Sequence, residues 1–323
     1  MSKGSWDLGV SKELVMVEKR MRELVESTQK ELTSVALHVI DAGGKRVRPK
    51  LSILAHHALD GNDLKKLIDI AAAMELIHSA TLVHDDINDE ADIRRGKKAA
   101  YKEFGLHEAI VTGDFLFARA FYVGGLFSKK IVEMIASSTA HLAEGEMMQY
   151  AHKWDSTLSV DQYIRIIEGK TAHPISAAAE VGGSLAEGKA EYIEALGEYG
   201  LNLGIAFQIV DDILDVTGDE RSLGKGTGTD IREGNMTLPL ILARDTDKAF
   251  AKHIKAVFKV GKVTDAQVEK TIDMVKDTCA VREALKIARG YAEGATEYLE
   301  RLPESVHRNR LVDLSRLVVD RTN

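Results

Sequence analysis

Cysteine is almost absent: Cys279 stands alone in 323 residues. That excludes an internal disulfide framework and a zinc site of paired thiolates, and a reducing cytoplasm is the expected compartment. A basic excess is missing too. Lys and Arg total 43 against 50 Asp and Glu, a formal charge of -7, which excludes nucleic acid as a partner because phosphate backbones are bound by surplus cations. An anionic ligand must therefore meet local basic patches. Only 4 prolines and 6% aromatic residues are present, β-branched runs are short, and Ala and Leu are plentiful, a composition that favours helix. Residues 1–10 lack the apolar core of a secretory signal, so none is expected. The most apolar long stretch, 109–127, is interrupted by Asp114 and Arg119, and no transmembrane segment is expected. Linkers rich in Pro or Ser, low-complexity tracts and fixed-period repeats are also missing. The simplest architecture is all-α, one helical domain over 1–323.

Two aspartate clusters dominate what is there. Asp85-Asp86-Ile87-Asn88-Asp89 and Asp211-Asp212-Ile213-Leu214-Asp215 spell one pattern, each at the end of an apolar stretch with helical spacing. Residues four apart share a helix face, so Asp85 with Asp89 and Asp211 with Asp215 form same-side carboxylate pairs. Carboxylates crowded at a helix carboxyl end, where the dipole disfavours anions, are costly unless cations neutralise them. One such cluster alone reads as readily as a solvated helix end, but two in one chain point to metal. Hard oxygen donors in this number suit Mg²⁺, which binds through a few carboxylates and completes its shell with water and substrate phosphates.

Periodicity predicts helices over 12–32, 51–59, 64–90, 108–126, 129–150, 157–169, 171–182 and 190–216. Shorter ones follow over 238–243, 246–257, 265–277 and 280–302, with a last from 304. The 157–169 and 171–182 helices are expected to meet at Gly169-Lys170. Basic punctuation falls between helices: Lys45, Arg46, Arg48 and Lys50 follow Gly43-Gly44, and Arg94-Arg95-Gly96-Lys97-Lys98 reads as a basic turn. Lys45, Arg48, Arg94 and Arg95 are candidates for phosphate contacts, Arg through bidentate bonds and Lys as a point charge. The 217–237 segment holds five glycines among many charges, which suits a loop around a charged ligand.

The ordered set of segments Gly43-Gly44-Lys45-Arg46-Val47-Arg48-Pro49, Ile77-His78-Ser79-Ala80-Thr81-Leu82-Val83-His84-Asp85-Asp86, Arg94-Arg95-Gly96, Gly113-Asp114, Gly169-Lys170-Thr171, Phe207-Gln208-Ile209-Val210-Asp211-Asp212 and Gly224-Lys225 resembles the trans-polyprenyl diphosphate synthases. Farnesyl and geranylgeranyl diphosphate synthases belong to that family. The resemblance implies a helical bundle of the isoprenoid synthase type around a central cavity. It implies that Asp85, Asp86, Asp89, Asp211, Asp212 and Asp215 hold about three Mg²⁺ ions around an allylic diphosphate, which Arg94, Lys170 and Lys225 also contact. Lys45, Arg48, His78 and Arg95 are then expected to bind isopentenyl diphosphate, and Thr171 with Gln208 to present dipoles to the allylic cation. By the same resemblance the enzyme is a homodimer, with the 108–126 helix as the expected contact.

In this family, bulky residues four or five places before the first aspartate shorten the product. Here those places hold Thr81 and Ala80, so a product of twenty carbons or longer is expected. Ile77 and Met74, deeper on the same face, are the next stops, with Phe115, Phe117 or Phe121 of the neighbouring helix as competitors. One departure stands out: many members carry lysine where this chain has Asn235, which removes one cationic contact to the allylic diphosphate. A farnesyl synthase, a class I terpene cyclase and a non-catalytic synthase subunit are the alternatives within this chemistry. Outside it, Glu75-x-x-His78 and Glu304-x-x-His307 match the spacing of a di-iron carboxylate protein, but that leaves the aspartate clusters unexplained.

Overall fold

The computed structural model of the protein describes residues 8–218 and 227–320. Helices make up nearly all of it. α1 (Ser11–Leu24) and α2 (Lys30–Ile40) replace the single helix expected over 12–32. The break has a chemical cause, since Thr33 Oγ1 accepts from the Ser27 N–H at 3.0 Å and Ser27 Oγ from the Gln29 N–H at 3.1 Å. Side-chain hydroxyls thus take donors that a continuous helix needs. α3 (Val47–Ala58) begins four residues before its predicted start, with Pro49 in its first turn, where a missing N–H costs nothing.

α4 (Leu64–Asn88) is capped by Asp63, which accepts from the Lys66 N–H at 3.0 Å. Among the described residues it is the helix whose length and apolar composition match a membrane span, rather than the 109–127 stretch, yet 72% of that apolar window is buried inside the protein. It serves as a core helix packed against α1, α3 and α6 (Leu106–Gly124). After α4, the expected basic turn is a small antiparallel hairpin of β1 (Ile93–Arg94) and β2 (Lys97–Lys98). Arg95 and Gly96 both take positive φ, 53° and 77°, the combination that a tight two-residue hairpin requires. A short α5 (Ala100–Glu103) leads into α6, and α7 (Lys129–Ala151) follows.

α8 (Val160–Ile167) opens with a capping box between Ser159 and Gln162. The junction expected at Gly169-Lys170 is continuous: a π-helical turn, Glu168–Ala172, joins α8 to α9 (His173–Leu185). Close packing explains the glycine there. A Cβ on Gly169 would lie 2.8 Å from His141 O, and one on Gly145 only 2.4 Å from Lys170 N, so α7 and the π turn touch backbone to backbone. α10 (Ala190–Thr217) then crosses the molecule against α9 and α15 (Ala280–Leu299). The remaining helices are α11 (Thr229–Glu233), α12 (Leu238–Thr246), α13 (Lys248–Phe258), α14 (Asp265–Lys276) and α16 (Val306–Val319). One continuous apolar core runs from Val10 through α4, α9 and α10 to Val319.

Candidate active site

α4, α7, the π turn and α10 line a cavity of about 2020 Å³ at which both aspartate clusters meet. Asp85 and Asp89 reach it from α4, and Asp211, Asp212 and Asp215 from α10. Cations ring it: Lys45 and Arg48 from the segment before and at the start of α3, Arg94 and Arg95 from the hairpin, and Lys170 from the π turn. His78, Thr81, Thr171 and Gln208 also line it. Lys225 and the rest of the 219–226 segment lie outside the described residues.

The carboxylates differ in how they are held. Asp86 is buried, and its Oδ1 accepts from Arg94 Nε at 2.6 Å. Its visible effect is to brace the Arg94 fork. Asp212 is 4% exposed, and both its oxygens are engaged, Oδ2 by the Tyr163 hydroxyl at 2.6 Å and Oδ1 by Gln208 Nε2 at 2.8 Å. Burial pushes its carboxyl up to about 7 despite those bonds. Asp215 accepts the Thr229 and Asp230 N–H groups, each at 3.1 Å, and so ties α10 to the start of α11. Asp85 has its carboxyl raised to about 6, by burial first, with the charge of Lys170 opposing the shift.

Among the cations, Lys170 Nζ lies 2.7 Å from Glu146 Oε2 and donates to Gln149 Oε1 at 3.0 Å. Burial works against its charge, but Asp85 and Glu146 outweigh that and hold its pKa above the usual lysine value. Lys45 Nζ stands 4.0 Å from Asp211 Oδ1 and 5.4 Å from the centre of the Phe207 ring. Arg95 donates to the Gly43 carbonyl, and its guanidinium packs where a Gly44 side chain would project; Gly43 and Gly44 both take positive φ, 79° and 145°, which favours glycine. His78 is held neutral, its pKa well below the usual value through burial and then the charges of Arg48 and Arg95. Glu75, the acidic member of the di-iron spacing, pairs with Arg46 at 3.0 Å, and Glu304 lies before the start of α16. Glu75 therefore borders the cavity as the partner of Arg46, and Glu304 does not line it.

The chain-length face is partly as expected. Thr81 lines the main cavity, while Ile77 and Met74 line a smaller one beneath it, of about 20 Å³, opposite Ile135, Ser138 and Leu142 of α7. Leu142 borders both. Ala80, one turn along α4 from Ile77, is fully buried and borders neither cavity. Phe115, Phe117 and Phe121 line neither cavity, and Phe121 is exposed.

Sequence reasoning missed Glu146, Gln149, Lys153 and Tyr163. Glu146 and Gln149 lie three residues apart on one face of α7, a detectable spacing. Tyr163 and Lys153 carry no such signal.

Among the described residues no three carboxylate or imidazole groups already converge on one point. The cavity instead offers oxygen donors from two separate helices, which suits hard cations completed by phosphate oxygens and water. Comparison with known proteins agrees with this chemistry. The model of the polyprenyl synthetase family matches residues 29–275. The all-trans-nonaprenyl-diphosphate synthase (geranyl-diphosphate specific) of Rhodobacter capsulatus is 38% identical over 314 residues, covering 97% of this chain and 96% of its own. The octaprenyl diphosphate synthase of Haemophilus influenzae is 37% identical over 289 residues, 89% of this chain and 87% of its own. A polyprenyl synthase from Caulobacter crescentus, solved with calcium and isoprenyl diphosphate, superposes with a TM-score of 0.94 at 35% identity, over 100% of this chain and 98% of that one. With the match running through both aspartate clusters and most of the chain, the protein belongs to the polyprenyl synthetase family and is a trans-polyprenyl diphosphate synthase.

Proposed function

We propose that the enzyme condenses isopentenyl diphosphate with an allylic diphosphate in a Mg²⁺-dependent reaction, giving an all-trans product of twenty carbons or longer. The observation that carries this is the opening of both aspartate clusters onto one cavity ringed with lysine and arginine. Asp85, Asp89 and Asp211 would hold the metal, with Asp215 beside them and Asp86 and Asp212 acting through their braced partners Arg94 and Gln208. What the metal supplies when bound is positive charge that eases departure of the allylic diphosphate.

The chain's own groups do the rest. Lys170 and Arg94 add fixed positive charge where the diphosphate leaves, and Lys225 of the adjoining segment is assigned to the same anion. Thr171 and Gln208 turn dipoles toward the allylic carbon as it becomes cationic. Lys45, Arg48, Arg95 and neutral His78 hold isopentenyl diphosphate, so that its double bond meets that carbon. The departing diphosphate then takes the final proton. Apolar walls at Phe207, Ile166 and Leu142 keep water from the cation.

Product length is read from the same cavity. Small Thr81 leaves the path along α4 open toward Ile77 and Met74, and the named relatives make octaprenyl and nonaprenyl chains. A homodimer is proposed as well, through exposed apolar side chains of α6 and α7 such as Val111, Phe121, Tyr122 and Met147.

The test is incubation with Mg²⁺, labelled isopentenyl diphosphate and each allylic primer in turn, with products separated by chain length. Products beyond fifteen carbons that vanish with a chelator are expected. Farnesyl diphosphate as the sole product would overturn the length assignment. Diphosphate release without isopentenyl diphosphate would indicate a cyclase instead.

A further inference from the structure

Lys153, just beyond α7, lines the cavity mouth beside the aspartates. Its side chain is only 20% exposed, and its ammonium lies 3.1 Å from Asp89 Oδ1. A flexible lysine side chain gives up about 2 kcal/mol of rotamer freedom when held in one place, so a surface ammonium is ordinarily left in water. This one is drawn in among carboxylates. Its position is set by the backbone: Trp154 N–H donates to Gly234 O at 2.8 Å, and a Cβ on Gly234 would meet the Trp154 ring at 2.4 Å. Trp154 itself takes a left-handed φ of 65°. The loop after α7 is thus clamped against the segment that carries Asn235.

Asn235 is 7% exposed and also lines the cavity. Its amide nitrogen donates to Glu233 Oε2 at 3.1 Å, while its amide oxygen is buried with no donor among the described residues. A buried acceptor without a donor costs roughly 1–3 kcal/mol, and the Trp154–Gly234 bond joins the residues next to Lys153 and Asn235. This corner of the cavity is therefore polar, enclosed and provided with one ammonium, whose carboxylate partner Asp89 is a proposed metal ligand.

We infer that Lys153 is a further diphosphate-binding residue, delivering to the allylic diphosphate the cation that Asn235 does not provide. The inference rests on the proposed reaction, in which metal engages Asp89. Once Asp89 is shared with a cation, the ammonium is attracted to the remaining anion of the site, the diphosphate, in the cavity that Lys153 lines. Lys153 acts in binding and takes no part in bond making.

The experiment is calorimetric titration of the full-length protein with inorganic diphosphate in saturating Mg²⁺, alongside steady-state kinetics. Lys153→Met is expected to weaken diphosphate binding about tenfold, the scale of one charge-assisted hydrogen bond, and to raise KM for the allylic substrate while KM for isopentenyl diphosphate holds. Lys153→Arg is expected to retain binding, and Asn235→Lys placed in the Lys153→Met chain to recover it. Unchanged diphosphate affinity in Lys153→Met, or an equal rise in both KM values, would overturn the inference. A lower melting temperature with both KM values intact would assign Lys153 to structure only, and overturn it too. Calorimetry requires no turnover, so a wild-type protein that binds diphosphate but makes no prenyl product counts against the proposed reaction and leaves this comparison decisive.

Discussion

Thr171 Oγ1 donates to Gln208 Oε1 at 2.8 Å, linking the π turn to α10. The Gln208 amide nitrogen donates in turn to Asp212 Oδ1, 2.8 Å away. Tyr163 completes the chain on the other Asp212 oxygen. Gln208→Leu removes the middle of this chain and leaves buried Asp212 with one donor fewer. The expected result is a loss of about 1–3 kcal/mol of stability in urea unfolding, together with kcat reduced by roughly 10- to 100-fold. Tyr163→Phe, which leaves Gln208 and its bond to Thr171 in place, is expected to lose stability on the same scale with a smaller change in kcat. Equal kcat losses in the two variants would refute the assignment of Gln208 to the allylic cation.

Thr81, His78, Ile77 and Met74 occupy one face of α4, and the path from the main cavity to the smaller one follows that face. Thr81→Phe fills the near end and is expected to shorten the product, whereas Met74→Ala opens the far end and is expected to lengthen it by one or more isoprene units. Ala80→Phe is expected to behave differently from its neighbour. Ala80 is fully buried and borders neither cavity, so the added ring overpacks the core and costs about 1–3 kcal/mol before it can reach the path. Chromatography of the products, read beside thermal melts, separates the two effects.

The aspartate clusters were legible because helical spacing alone puts residues four apart on one face, and their crowding demands compensation. The basic segments were legible as charge next to turn residues. What sequence could not supply were contacts between distant positions. Asp86 meets Arg94 because the hairpin folds back over α4, and nothing in the spacing of Asp85, Asp86 and Asp89 reveals that. Lys153 and Asp89 are 64 positions apart, joined only by the route the chain takes around α7. The break between α1 and α2 does leave a trace, since residues 26–31 are all polar and interrupt the hydrophobic periodicity where the Ser27 and Thr33 hydroxyls act. The π turn escaped because Gly169 looked like a terminator, but its missing side chain is what lets α7 approach.

Acid sensitivity is expected to have a component at His56, which is fully buried on α3. Burial lowers its pKa below the usual 6.5, and the neighbouring His57 lowers it further, against smaller opposing effects from the Gly182 backbone and Asp63. The folded protein therefore binds fewer protons at this ring than the unfolded chain does. Stability from this source is fully present above about pH 6.5 and is lost as pH falls from there through the depressed folded value. His56→Phe removes the titrating group while keeping a ring in the space. Urea unfolding at a series of pH values between 7.5 and 5 is expected to show a shallower decline in the variant. Parallel declines would locate the acid sensitivity elsewhere.

Gly145 offers the sharpest test of how the fold positions chemistry. It contributes no functional atom, yet a methyl group there would sit 2.4 Å from Lys170 N and 2.9 Å from Gly169 C. These atoms are backbone and cannot swing aside as a flexible side chain would, so Gly145→Ala forces α7 and the π turn apart. Lys170 rides on that turn, with its ammonium on Glu146 and Gln149 of the same helix α7, and Thr171 follows it. Displacing both by a fraction of an ångström is expected to lower kcat by one to two orders of magnitude, with a stability cost of about 1–3 kcal/mol for overpacking. Gly294, on α15, has nothing within 4 Å of its Cβ position, and Gly294→Ala is the control: the added methyl meets open space, helix propensity improves by up to about 1 kcal/mol, and kcat is expected to hold. Measured side by side at a temperature where all three proteins remain folded, a kcat loss confined to Gly145→Ala would locate the effect at the α7 crossing and not in helix glycines generally.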